Sequence, residues 1–350
     1  MNAHAIGLLS RTAAGSPGLW TLAWRRFRRD RVGVVSLAVV LVFVVLALAS
    51  AVGLVAADWE REVGVSYAPP TFAGGDRVAP RISGPQPEAP LAPAASEPAI
   101  EDPLHDILVQ LERELAGAGG PATRAATLPL GGDKWGRDVL LKTLKGTETS
   151  LLVGLAAALL ATFIGTLFGA YAGYLGGRAD DFFNWLYSVL TAIPYLLLIL
   201  AVAAVLGQKG TSTVILILGL TGWTGIFRLV RAEYLKHKAR EYVQAADAIG
   251  ASHRRRMFVH ILPNVSHVVL VQLSLHVVLF IKSEVILSFL GFGVGVDTVS
   301  WGSMLNEAQN ALLIGKWWQL AAATTAMAVL ITGFSLYTDA LRDALDPRLK

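Results

Sequence analysis

The residues of this chain that could do chemistry are few, and none stands in a catalytic spacing. The Gly-Lys pair Gly315-Lys316 is followed by Trp317 and lacks the upstream glycine of a phosphate-cradling loop. No Gly-x-Ser-x-Gly elbow and no His-Glu-x-x-His zinc pair occurs. Any uphill work must therefore draw on a partner or an ion gradient. Two charges, Lys282 and Glu284, fall inside an apolar run, where ionisable groups are functional candidates by default. Two positions apart on a helix, they point in different directions and do not simply pair. Glu284 is open to two readings, a structural cap for a neighbouring helix or the lining of a substrate path. His260, His267 and His276 include no helical i, i+4 pair and have no carboxylate nearby, so they read as satisfied polar groups rather than a metal site. No catalytic residue, cofactor or metal is expected.

The elements that must position these residues are membrane spans. Of the 350 residues 54% are hydrophobic and 16% charged, with a mean hydropathy of +0.53. Several uncharged runs of about 20 residues are long enough to cross a bilayer. The net charge of +4 does not call for a nucleic-acid partner, and the lack of cysteine excludes disulfides and thiolate sites. Residues 1–31 are a polar start ending in Arg25, Arg26, Arg28, Arg29 and Arg31, and an apolar run over 32–57 follows. That run is too long for a signal-peptide core, so it reads as a retained first span. Five more spans are expected near 150–174, 182–206, 213–229, 266–290 and 318–337. The fourth is short, and either tilts or continues as helix beyond the membrane. Pro194 should kink the third. Gly165, Gly169 and Gly173 form a ladder in the second that admits a close helix, inside the chain or at a subunit interface.

Orientation follows from Lys and Arg. The connection from 228 to 263 carries eight and the tail after Tyr337 three, while the loops near Lys209 and Lys316 carry one each. Both termini and the 230–263 loop are therefore expected in the cytoplasm. The opposite side receives residues 58–149, which hold 11 of the 15 prolines. Its 69–98 stretch is Pro/Ala-rich and reads as lacking a fixed core. After Asp102-Pro103, the residues Leu104, Ile107, Leu108, Leu111 and Leu115 make an amphipathic stripe.

Within the basic loop, Tyr242, Ala245, Ala246 and Ile249 fall at i, i+3, i+4 and i+7 and form one apolar stripe. Glu241, Gln244 and Asp247 lie off it. Gly250 follows where a helix stop needs a left-handed residue. After Ala251, Ser252 can cap a further helix that begins with Arg254, Arg255 and Arg256. Pro263 should end that segment before the next span. The small relief of the stripe suits a groove on another protein, and self-packing on the membrane domain is the competing reading.

Four ordered blocks together resemble the inner-membrane permease subunits of bacterial ABC importers, in the dipeptide/oligopeptide/nickel group. The first is Leu130-Gly131, Asp133 and Gly136-Arg137-Asp138-Val139-Leu140, before Ser150-Leu151-Leu152-Val153-Gly154. The second is Gln244-Ala245-Ala246, Gly250 and Leu262-Pro263. The third is Leu287-Ser288-Phe289-Leu290-Gly291-Phe292-Gly293 with Ser300-Trp301-Gly302, and the fourth runs from Leu341 to Arg348. The resemblance covers 130–350 and the first span. It departs at Gln244, where relatives carry Glu, and in the long insertion at about 58–127.

The resemblance implies an all-α, six-span membrane protein of the type I ABC importer permease fold, in the bacterial cytoplasmic membrane. It implies 1–31 and 338–350 as cytoplasmic ends, a first span at 32–57, an extracytoplasmic 58–149 and a core permease domain over 150–337. The partners it implies are a homologous second permease, one or two cytoplasmic ATPases and an extracytoplasmic solute-binding protein. Membrane lipid surrounds the chain, and ATP hydrolysis falls to the ATPases. Glu241, Tyr242, Gln244, Ala245, Ala246, Asp247, Ile249, Gly250, Ala251, Ser252 and Pro263 would form the coupling helix and its frame. Peptides are the expected cargo; nickel or another small solute, or a stand-alone secondary transporter or channel, are the alternatives.

Overall fold

The computed structural model describes residues 19–73, 107, 124–295 and 297–345. They contain helices and isolated bridges but no extended strand. The chain divides into two compact units, one of residues 58–140 and one of the remainder.

The larger unit is helical throughout. Helix α1 (Leu19–Phe27) ends in the arginine-rich turn, and Asp30 then caps α2 (Arg31–Ala51) by accepting from the Val32 amide at 2.9 Å. The polar start thus includes a short helix, whose Ala23 and Phe27 pack with Ala340 and Ala344 of the last span. That span, α11 (Trp318–Leu345), also lies against α2, where a Cβ on Gly333 would stand 3.0 Å from Val39 Cγ1.

Between them come α3 (Val139–Leu175), α4 (Gly177–Thr191), α5 (Tyr195–Leu206), α6 (Thr211–Thr221) and α7 (Thr224–Lys238). The coupling-loop helix α8 (Glu241–Ala248), the long α9 (His253–Phe289) and α10 (Trp301–Leu313) complete the order. Among the described residues, five helices or nearly continuous helix pairs are long and apolar enough to cross a membrane: α2, α3, α6 with α7, α9 and α11. The bent pair α4 and α5 makes a sixth candidate. At 37 residues each, α3 and α9 are roughly 55 Å long, well beyond a hydrocarbon core of about 30 Å. They are therefore long enough to extend beyond the hydrocarbon core as helix.

Several expectations change in detail. Pro194 does more than kink the third span: α4 and α5 meet at 87° across it. Proline supplies no amide donor and pushes its predecessor out of the α region, so a break here costs little. The short fourth span does continue, as Thr211–Lys238. Pro263 ends nothing, because it sits in the first turn of the helical segment Leu262–Phe289. Ahead of it, Arg256–Ile261 widens into a π-turn in which the Leu262 amide donates to the Met257 carbonyl. Such a turn shifts the ladder so that the missing proline amide leaves α9 unbroken. The helix that carries the second span begins at Val139, so its first turns take in Lys142, Lys145 and Glu148 ahead of the apolar run.

The glycine ladder belongs inside the chain. A Cβ at Gly165 would fall 2.1 Å from Ile226 Cγ2, at Gly169 2.8 Å from the Phe227 carbonyl, and at Gly173 2.6 Å from the Arg231 carbonyl. Backbone meets backbone along α3 and α7, which locks the two helices at one separation.

In the smaller unit, 58–73 and 124–140 are joined by isolated bridges, among them Glu62 to Arg137 and Gly64 to Ala125. Asp133 is buried and accepts from the Trp135 and Arg137 amides at 2.9 and 3.0 Å. Gly136 takes φ +82°, and a Cβ there would collide with the Gly64 carbonyl at 2.0 Å. The first sequence block is thus a backbone knot. The amphipathic stripe after Pro103 lies outside the described residues except for Ile107, which is helical and exposed.

Candidate functional site

Helix α8 is short, and its stability comes from its two ends and one buried face. Val243 and Ala246 are turned inward, at 3% and 5% exposure, and Val243 joins Tyr174, Tyr234, Met257 and Ile261 in a core cluster. The buried pair sits at i, i+3, so the expected stripe divides. Ala246 faces the chain's own core, while Tyr242, Ala245 and Ile249 remain exposed, Ile249 by 84%. Self-packing and an open apolar face are therefore properties of two adjacent faces of one helix. The signal for the buried side was present in the sequence, since Val243 and Ala246 are also three apart.

The C-terminal end is a Schellman stop. The Gly250 amide donates to the Asp247 carbonyl at 2.8 Å, and the Ala251 amide donates to the Ala246 carbonyl at 2.9 Å. Gly250 takes φ +79°, which a side chain would strain. Ser252 then caps α9 by accepting from the Arg255 amide at 3.4 Å, a long bond. Arg256 reaches back to pair with Asp247 and contacts His253 Nδ1 at 3.1 Å. His253 Nδ1 also meets the Tyr174 hydroxyl at 3.2 Å. Asp247 is mostly exposed, so this ion pair contributes geometry more than energy. Arg256 had no assigned part in the sequence reading beyond its place in a basic run.

At the other end, Arg240 adopts the extended backbone of an N-cap without a side-chain cap, and Glu241 in the first turn complements the helix dipole. Tyr242 Oη lies 2.8 Å from His237 Nδ1. Partial burial raises the Tyr242 phenol above its ordinary value, and which of the two groups donates follows the His237 tautomer. Gln244 is exposed and makes only a 3.5 Å contact to the Ala239 carbonyl. Tyr234 is fully buried beneath α8, its hydroxyl donating to the Met257 carbonyl in the π-turn at 3.1 Å. Through Tyr234 and Val243, α8 is fixed to both α7 and α9, the two helices that enter the membrane from it.

The second constellation centres on Glu284 of α9. It is fully buried, accepting from Ser150 Oγ at 2.9 Å and from Ser288 Oγ at 2.7 Å. Each serine in turn accepts a backbone amide, Trp301 onto Ser150 and Val294 onto Ser288, both at 3.3 Å. The Trp301 indole, itself fully buried, donates to the Thr143 carbonyl at 3.1 Å. Sequence blocks far apart in the chain thus meet at one carboxylate: the start of span two, the end of span five and the start of α10. Both carboxylate oxygens of Glu284 thus accept from serines that fasten neighbouring segments, one at the start of span two and one at the end of span five. Lys282 lies on the exposed side of α9 and does not join it. Nearby, the buried Lys142 pairs with Glu307 at 2.5 Å, and Gln319 Nε2 donates to the same carboxylate at 3.1 Å. The Lys142–Glu307 tie went unrecognised in the sequence because its partners are 165 residues apart.

Of the histidines, His276 is buried against Thr162 Oγ1 at 3.3 Å and stacks on Phe280, whereas the His260 carbonyl accepts from Asn264. Among the described residues no group of three His, Cys, Asp or Glu side chains is placed to hold a metal.

Comparison with known proteins bears directly on this arrangement. Residues 165–350 match the family described as binding-protein-dependent transport system inner membrane component. The chain belongs to that family. It is accordingly a multi-pass membrane permease subunit of an ABC transporter. Residues 18–70 match the N-terminal TM domain of oligopeptide transport permease C, which covers α1 and α2. Among similar proteins, the dipeptide transport system permease protein DppC of Bacillus subtilis is 39% identical over 63% of this chain and 68% of its own length. The oligopeptide transport system permease protein OppC of the same organism is 38% identical over 63% of this chain and 72% of its own. The glutathione transport system permease protein GsiD of Pectobacterium atrosepticum is 37% identical, over 63% and 73%.

Proposed function

We propose that the chain is half of the membrane pathway of a peptide importer in the bacterial cytoplasmic membrane. A homologous permease supplies the other half, an extracytoplasmic binding protein delivers the peptide, and one or two cytoplasmic ATPases drive the cycle. Both termini and α8 lie in the cytoplasm, in keeping with the basic 228–263 connection, and 58–149 lies outside. The names of the similar permeases support a peptide cargo over nickel.

The single observation that carries the coupling role is the two-sided character of α8. One side is fastened to α7 and α9 through Val243, Ala246 and the Asp247–Arg256 pair; the other leaves Tyr242, Ala245 and Ile249 uncovered. A short rigid helix so mounted transmits the movement of whatever holds its open face to two membrane helices. Glu241, Gln244, Gly250, Ala251, Ser252 and Pro263 shape that mount and its polar rim. Glu284 keeps spans two and five and α10 moving as one body, and Lys282 faces away from that body.

The reading is tested by purifying the tagged chain from its native membrane in mild detergent and identifying what accompanies it. Recovery of a second permease and ATPase, with ATP-dependent peptide uptake after reconstitution, is the expected result. Uptake by this chain alone without ATP would replace the reading with a secondary transporter.

A further inference from the structure

At the end of the spans that carries α8, helices α7, α9 and α11 wall a cavity of about 730 Å³ that meets the coupling helix only at Arg240 and Tyr242. Its chemistry is graded along the helices. On α9 the lining runs from Asn264 and His267 through Val268 and Val271 to Leu275, with Gln272 the one polar side chain in the inner part, and at 1.5 Å per residue Leu275 stands roughly 16 Å farther into the span than Asn264. On α7 it runs from Lys236 and His237 inward to Leu229. The polar end holds three permanent cations, Lys236, Arg240 and Arg342, beside the imidazoles of His237 and His267, against the single carboxylate of Glu233. Glu233 is engaged by Lys236 at 3.1 Å, whereas Arg240 and Arg342 are exposed and have no carboxylate partner among the described residues.

We propose that this cavity binds one anionic phospholipid, its phosphate held by Arg240, Arg342 and Lys236 and an acyl chain laid along Val268, Val271 and Leu275. A cavity that is cationic at the helix ends and apolar toward the span matches the two parts of such a molecule in their order across a leaflet. A soluble anion would use only the first part. Zwitterionic lipid would offer the same phosphate but bring a choline cation against the arginines, so its net attraction is weaker. The occupant also touches Tyr242, which lines the same cavity. The inference needs these helices to span a membrane and is independent of which protein docks on α8.

The test is native mass spectrometry of the delipidated, assembled transporter. It is titrated with phosphatidylglycerol, with phosphatidylcholine of the same acyl chains, and with inorganic phosphate. A retained phosphatidylglycerol adduct is expected on the permease, weakened roughly thirtyfold in the Arg240→Gln/Arg342→Gln variant as two surface cations are removed. Val271→Trp, which fills the apolar part and leaves every charge in place, should weaken it as well. Equal binding of phosphatidylcholine, unchanged affinity in the double variant, displacement by phosphate alone, or no adduct because another subunit covers the cavity would each overturn the proposal. Loss of the ATPase during purification leaves the lipid readout on the permease intact, so the two readings fail separately.

Discussion

Neighbouring alanines on α8 should respond to the same substitution in different ways. Ala246 is 5% exposed and abuts the chain's own core, so Ala246→Arg must bury a guanidinium or expel the helix. An uncompensated buried charge of this kind costs more than about 4 kcal/mol, most of a domain's stability, and the protein should largely disappear from the membrane. Ala245 is exposed, and Ala245→Arg should change stability by no more than about 0.5 kcal/mol. Ile249 is 84% exposed, and burying it in a partner's groove is worth about 1.5–3 kcal/mol. Ile249→Asp should therefore weaken ATPase association roughly 10- to 150-fold while leaving the fold intact. The assay combines membrane abundance, thermal unfolding in detergent, ATPase co-purification and peptide uptake. If Ala245→Arg and Ile249→Asp retain ATPase and uptake, the open face docks nothing and the reasoning fails.

Other substitutions probe the mount rather than the face. Gly250→Val should cost about 1–2 kcal/mol through its left-handed backbone alone, since a Cβ there meets nothing. Gly250→Asn should recover part of both unfolding temperature and uptake. Glu284→Ala leaves Ser150 and Ser288 without their buried acceptor and should lower stability by about 2–4 kcal/mol, read as a fall in melting temperature with peptide preference unchanged. Lys142→Met leaves the partly exposed Glu307 with Gln319 alone and should destabilise by about 1–3 kcal/mol, whereas Lys142→Met/Glu307→Gln, which removes the unpaired charge, should recover part of that loss. Gly169→Leu forces α3 from α7, and folded protein should not accumulate.

Span number and helical class were legible because apolar runs of bilayer length leave few alternatives. The Schellman stop after α8 was legible too, since the pattern is local and Gly250 is its usual mark. What periodicity alone left open was which side of α8 is buried. Tyr242, Val243, Ala245, Ala246 and Ile249 are all apolar or aromatic, so two overlapping stripes compete, and only α7 and α9 decide between them. Pro263 misled because the π-turn that absorbs it depends on the fold around it, while Pro194 broke its span more sharply than a kink. Glu284 stood out as an intramembrane charge, yet its partners Ser150, Ser288 and the backbone of Trp301 come from three parts of the chain. No spacing rule connects them.

The chain contains no cysteine, which makes the central claim directly measurable. A single Ile249→Cys substitution, treated with a short thiol-reactive cross-linker in membranes that hold the whole transporter, should yield one product joining the permease to its ATPase, with an efficiency that changes when ATP is bound. A Lys282→Cys control should give no such product. Absence of an ATPase cross-link at position 249, in a variant that still imports peptide, would contradict the account.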